Sequence, residues 1–226
     1  MGSRWIPLTL LSVATVALLA ALVSISVGEN TVEDFRLEET GEVQELIAGI
    51  RQLDDRLGPE DAPVTIDLFT DVQSPRCAQY QLDVVDPLIR DYVRTGEANI
   101  ILRHFPLGVK PVTLGGIASE AAGLQARQWQ FAELFMRNLE LVPEQGVDDD
   151  FLNEVAGFVP KLDVARWEAD VNSSETLDLA RGDEDLAVEL TLSADPAVVV
   201  TGANGSQTLE GAPTLAEVEA AIAGVS

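Results

Sequence analysis

Apolar positions along this chain change period several times, and each change marks a different kind of element. From Trp5 to Val27 the sequence WIPLTLLSVATVALLAALVSISV carries no charge, a run long enough as a helix to cross the hydrocarbon core of a bilayer. Arg4 and the terminal amine precede it, while Glu29, Glu33 and Asp34 follow. The positive-inside rule then puts the short amino end in the cytoplasm and the rest outside. Residues 1–28 therefore read as an N-terminal membrane anchor, a single pass through the plasma membrane with the domain on the extracytoplasmic side. Ser24 and Ser26 are small residues at a spacing a signal peptidase accepts, so the alternative is a cleaved signal and a secreted domain.

Residues 29–57 show a second pattern. Val43, Leu46, Ile47, Ile50, Leu53 and Leu57 recur at helical spacing on an otherwise charged segment, which predicts an amphipathic helical linker with one apolar stripe. Such a stripe needs a covering surface: its own domain, or a second copy in a homodimer joined by a short coiled coil over residues 42–57. Gly58 and Pro59 end it in either case.

From residue 58 onward the periods alternate. APVTIDLFTD reads as a strand through its Val, Ile and Phe content, and Pro75 opens a helix at a position where its missing N–H costs little. That helix runs through QYQLDVVDPLIRDYVRT, with a kink expected at Pro87 and a stop at Gly96. ANIILRHFPL is a second strand, and the helix between the two suits a right-handed parallel crossover. Residues of about 112–190 are a helical block. The chain closes with the strand PAVVVTG, a turn at Asn204-Gly205, a second strand and a helix capped by Thr214. The fold class is α/β: βαβ, inserted helices, then ββα.

Charge and composition narrow the function. Against 38 acidic side chains stand 14 basic ones, a net charge of -24, which repels nucleic acid and anionic lipid. A single cysteine, Cys77, precludes an internal disulfide, and with one histidine, His104, it leaves too few ligands for a Cys/His zinc site. Asp148, Asp149 and Asp150 lack the ligand spacing and glycine of a calcium loop. No metal or other cofactor is expected.

The local sequences then carry a resemblance. APVTIDLFTDVQSPRC is similar to the strand that leads into CPxC in DsbA-like thioredoxin-fold proteins. ILRHFPL resembles that family's RxFPL segment, and ASEAAGLQARQWQFAELF resembles its alanine-rich helix with a following aromatic. The resemblance covers roughly residues 58–226. It implies a thioredoxin-like fold with an inserted helical subdomain, and kinship with thiol–disulfide oxidoreductases. It also implies a site made of the turn Ser74, Pro75, Arg76 and Cys77 facing a proline loop at Asp195 and Pro196.

The departures from the family pattern decide the chemistry expected there. The attacking cysteine of CxxC is replaced by Ser74, and a hydroxyl forms no disulfide, so a dithiol/disulfide cycle cannot run within one chain. Cys77 matches the second, resolving cysteine; a lone cysteine in this place reads either as a small buried hydrophobe or as a monothiol that exchanges with a partner. Asp195 precedes Pro196, where a cis bond is plausible, and its carboxylate opposes thiolate formation nearby. Together these features predict a redox-inactive, chaperone-like protein that binds extended segments of exported or unfolded proteins, with Arg76 available to attract an acidic group unless it is simply an exposed turn residue. Two enzyme readings compete: monothiol disulfide exchange through Cys77, and a Ser-based glutathione-binding transferase or isomerase resembling the kappa class, in which the helix start and Ser74 hold the substrate's thiolate. His104 is the only imidazole available as a general base, but without a nucleophile elbow it reads as a strand-end residue.

Overall fold

The computed structural model describes residues 37–107 and 112–226. The expected membrane span and the first part of the expected linker lie outside the described residues. Among those residues no helix is long and apolar enough to cross a membrane.

A six-stranded mixed sheet forms the centre of the described residues. In chain order its strands are β1 (Gln52–Leu53), β2 (Arg56–Leu57), β3 (Val64–Thr70), β4 (Ala98–His104), β5 (Ala197–Gly202) and β6 (Gly205–Glu210), and in space they lie in the order β1-β2-β4-β3-β5-β6. β3 and β4 are parallel, with Val64 opposite Ala98 and Thr70 opposite His104. The remaining pairs are antiparallel. Ile66, Leu68, Ile100, Leu102, Val198 and Val200 are buried in one core on one face, and Phe69, Ala197 and Val199 in a second on the other, as expected of central strands covered on both faces.

The crossover helix begins as α2 (Pro75–Tyr80) and continues without a break through Gln81–Val85, Asp86–Leu88 and Ile89–Val93. The expected kink at Pro87 takes another form. A proline removes one backbone donor and crowds the carbonyl four residues back. Here the helix widens on both sides of it, with Asp86 N–H reaching Gln81 O and Arg94 N–H reaching Ile89 O at 2.9 Å. Such wide turns relieve a proline without ending the helix.

Among the described residues, five α-helices fill the interval between β4 and β5: α3 (Leu114–Gly123), α4 (Gln128–Arg137), α5 (Asp149–Phe158), α6 (Val164–Val171) and α7 (Ser174–Glu189). Side chains of Thr113, Asp148, Asp163 and Ser173 accept backbone N–H groups at the starts of α3, α5, α6 and α7, so Asp148 of the acidic triplet serves as a cap. Their core is aromatic: Phe131 lies 5.5 Å from Trp167 and Phe135 lies 5.1 Å from Phe151, ring centre to ring centre. Trp167 donates its indole N–H to Ala118 O at 2.8 Å, which satisfies its one polar atom in a buried place.

This layer is tied to the sheet through Arg103 and His104. Asp183 of α7 accepts from His104 N–H at 2.9 Å and from Arg103 at 3.1 Å, and Arg103 also bridges Asp55 at 2.7 Å and Asp67 at 3.0 Å. The arginine of RHFPL is thus a structural tie. The chain ends in α8 (Leu215–Val225), which Thr214 and Glu217 open with a reciprocal capping box.

Two expectations need correction. The linker helix does not extend to residue 57: α1 covers Thr40–Ile47, and Arg94 closes its end by donating to Glu45 O, Leu46 O and Ala48 O. Residues 52–57 turn at Asp54-Asp55 instead and supply β1 and β2, where Leu57 pairs with Ile100 on the edge of β4. Pairing this otherwise open edge satisfies backbone groups that a helix could not reach. Val43, Leu46 and Ile47 are buried in their own domain's core, so this part of the stripe is covered within the chain, while Leu53 is exposed. The second correction is at the last hairpin, where Gly202 pairs with Gly205 and the two turn residues are Ala203-Asn204 rather than Asn204-Gly205. Gly205 opens β6 with φ of 117°, a conformation only glycine adopts readily.

Candidate functional site

β3 ends at Thr70, and the turn Asp71–Ser74 delivers the chain into α2. Ser74 N–H donates to Asp71 O at 3.0 Å, and Asp71 Oδ1 accepts from Gln73 N–H at 3.0 Å. Ser74 takes the helix-capping position with extended backbone, and its Oγ accepts from Cys77 N–H at 3.4 Å. Pro75 follows as the first helical residue. Ser74 is thus occupied as a cap, a role serine fills well.

Cys77 points inward and is 1% exposed. Its Sγ lies 3.8 Å from Asp195 Oδ2, and the Asp195-Pro196 bond is cis. Burial pushes the Cys77 thiol above its ordinary value; hydrogen bonds involving Thr70, the Asp71 backbone and Ser74 offset this in part, while the Asp195 charge adds to the rise. Burial also raises the Asp71 carboxyl, with Asp195 contributing by like-charge repulsion. The thiol therefore faces a carboxylate in a dry place, the reverse of the electropositive surroundings that make a reactive thiolate.

On the outer side, Pro75 and Arg76 are exposed, while Pro196 is buried. Pro196 O accepts from Gly211 N–H and Ala212 N–H, each at 3.1 Å. Among the described residues, neither the N–H nor the C=O of Asp195 is bonded to another backbone group. A groove of about 520 Å³ opens beside this loop, between α2 and the segment leading into α8, lined by Arg76, Tyr80, Val84, Pro213 and Leu215 among others. The Tyr80 hydroxyl is buried without a hydrogen-bond partner.

Ser74, Cys77, Asp195 and Pro196 thus converge, with Pro75 and Arg76 on the outer rim. His104 does not join them as a base. It is 3% exposed, its Nε2 accepts from Thr113 N–H at 3.3 Å, and burial holds its pKa down at about 4. Among the described residues no group of three or more His, Cys, Asp or Glu side chains could hold a metal ion.

Comparison with known proteins fits this geometry. A family model described as Thioredoxin matches residues 53–223. The chain belongs to the DsbA-like thioredoxin-fold family. Among its relatives, the probable disulfide bond formation protein D of Bacillus anthracis is 30% identical over 149 residues, 65% of this chain and 69% of that one. The disulfide bond formation protein D of Bacillus subtilis is 22% identical over 146 residues, 64% of this chain and 66% of that one. Solved structures agree on the fold. Wolbachia pipientis alpha-DsbA1 has a TM-score of 0.64 at 19% identity, covering 75% of this chain and 89% of that one. Oxidised BdbD from Bacillus subtilis has a TM-score of 0.63 at 20% identity, covering 75% and 91%.

Sequence reasoning missed Tyr80 and the groove wall at Pro213 and Leu215. Tyr80 stands one helical turn after Cys77, a spacing that was legible. The opposite wall comes from more than 130 positions away in the sequence, and no local pattern joins the two.

Proposed function

We propose that this chain is an exported, membrane-tethered member of the DsbA-like family that binds extended segments of exported or unfolded proteins and runs no dithiol cycle. The observation that carries the reading is the pairing of Ser74 at the helix cap with a buried Cys77 facing Asp195. Catalytic disulfide exchange within one chain needs an attacking thiolate and a resolving thiol. This site offers a hydroxyl in the first place and a desolvated thiol in the second.

Binding retains its support. The unbonded backbone of Asp195 can pair with an extended segment by strand addition, and the neighbouring groove offers apolar walls with Arg76 at its rim. An apolar side chain next to an acidic one suits that surface. The relatives named for disulfide bond formation favour thiol-containing exported proteins as the class presented to it. Burial of Cys77 stands against a monothiol enzyme, and the Asp195 carboxylate stands against a site that holds glutathione thiolate.

The test pairs two measurements on the chain. A labelled, unfolded peptide with an apolar-acidic pair is expected to bind, and R76E to weaken binding through the reversed charge. Reduction or oxidation of a model disulfide is expected to stay at the uncatalysed rate. Turnover well above background, or absence of peptide binding, overturns the reading.

A further inference from the structure

The loop that carries Asp195 is gripped on both sides of that residue. Glu210, the last residue of β6, faces Ala197 in the ladder, so its backbone is fixed by the sheet. Its side chain reaches back over the start of β5, where Oε2 accepts from Ser193 N–H at 2.6 Å, Ser193 Oγ at 3.1 Å and Ala194 N–H at 3.1 Å. The next two residues, Gly211 and Ala212, donate their N–H groups to Pro196 O. Residues 193, 194 and 196 are therefore held by the single segment 210–212. Asp195, between them, is the residue that touches Cys77.

We propose that Glu210 is a positioning residue that latches the Ser193–Pro196 loop and so sets both the cover over Cys77 and the placement of the Asp195 carboxylate against its thiol. The proposal builds on the reading that this loop is the binding surface, and deepens it by naming what holds the surface in place. A charge on an exposed edge strand commonly guards against strand pairing. Such a guard points to solvent, whereas the Glu210 carboxylate is turned onto three donors of one loop, an arrangement in which ionised acceptors bond about twice as strongly as neutral ones. Elsewhere on β6, the Ser206 side chain is hydrogen-bonded to Thr201. Among the described residues, Glu210 is the residue of the strand whose side chain is hydrogen-bonded to the loop.

The test uses the chain's single cysteine as reporter. The rate at which a small haloacetamide alkylates Cys77 in the folded chain is followed across pH for the unaltered protein, E210A and E210Q. The two freed N–H groups of E210A lie at the surface, where water can take them, so the fold is expected to survive. With the latch gone, the loop relaxes, cover and carboxylate move off the thiol, and the profile shifts to lower pH by about half to one unit, about three- to tenfold in rate at fixed pH. E210Q keeps the shape and one acceptor oxygen, so its shift is in the same direction and smaller; it carries the test should E210A fail to fold. A role confined to stability would lower the melting temperature and leave the profile in place. Displacement below about 0.3 unit, a factor of about two, in every folded variant overturns the latch. Peptide binding by the unaltered chain is scored separately. Its absence sinks the binding reading while the thiol profiles still decide the latch.

Discussion

Cys77 Sγ and Asp195 Oδ2 stand 3.8 Å apart across the mouth of the thioredoxin fold, joining residues 118 positions apart in the chain. One comes from the helix after the first long strand and the other from the loop before β5. The contact sets a negative charge beside the only sulfur that could do exchange chemistry.

Removing that charge is expected to loosen the restraint without abolishing it. In D195N the like-charge contribution is lost while burial, the larger cause of the raised thiol pKa, remains. Alkylation of Cys77 at neutral pH should rise by a small factor, because the thiolate is easier to form once the neighbouring charge is gone. An unchanged rate would show that the carboxylate does not act on the sulfur.

Restoring the missing sulfur tests whether the turn keeps its geometry. Ser74 Oγ already accepts from Cys77 N–H, so residues 74 and 77 face each other across one helical turn. S74C treated with a mild oxidant should form an internal disulfide, seen as loss of both titratable thiols after denaturation, and dithiothreitol should restore them. Persistent free thiols, or dimers linked between chains, would mean that the turn does not present the two positions to each other.

Acidity should stabilise this chain over part of the range below neutral. Glu133 is buried and its pKa is pushed up to about 7, chiefly by burial and then by Asp86, against the pull of Arg137. Burial also raises Asp183 to about 6, against its bond from His104 N–H and the charge of Arg103. For a carboxyl whose folded pKa exceeds its unfolded value, the native state binds the proton more tightly, so stability grows as pH falls through the folded pKa towards the unfolded one. Relief of repulsion within a chain of net charge -24 acts in the same direction. The melting temperature should therefore be higher near pH 5.5 than near pH 8, by about 2–4 °C for each kcal/mol in a domain of this size. E133Q should flatten the dependence. A melting temperature that rises with pH across this interval would contradict the assignment.

Close approach at the end of β4 predicts a sharp steric cost. A Cβ on Gly116 would overlap the His104 ring, which is enclosed and bonded to Thr113 N–H. G116A should lower stability by about 1–3 kcal/mol, the usual cost of overpacking, measured by denaturant unfolding. Removing the ring with H104A opens room for the added methyl group, so the double variant should lose less than the two single losses combined. Strictly additive losses would show that the ring is not what the methyl group meets.

The sequence by itself determined the order of the elements and the chemical poverty of the turn. Runs rich in Val, Ile and Leu at Val64–Thr70 and Ala98–His104, with a helical run between them, specify a parallel βαβ unit, because strand composition and helix period are written locally. Ser74 in place of sulfur is likewise a fact of composition that no fold can alter. Tertiary structure decided what local pattern cannot encode. Leu53 and Leu57 sit at helical spacing from Ile50, yet residues 52–57 become a hairpin because the edge of β4 offers backbone partners that a continued helix would leave open. Nothing local to ILRHFPL shows that Asp55, Asp67 and Asp183 arrive from three separate segments to surround Arg103. The environment of Cys77 belongs to the same class: its burial, its carboxylate neighbour and the grip of Glu210 on the intervening loop depend on contacts between distant residues, which exist only once the chain has closed its sheet.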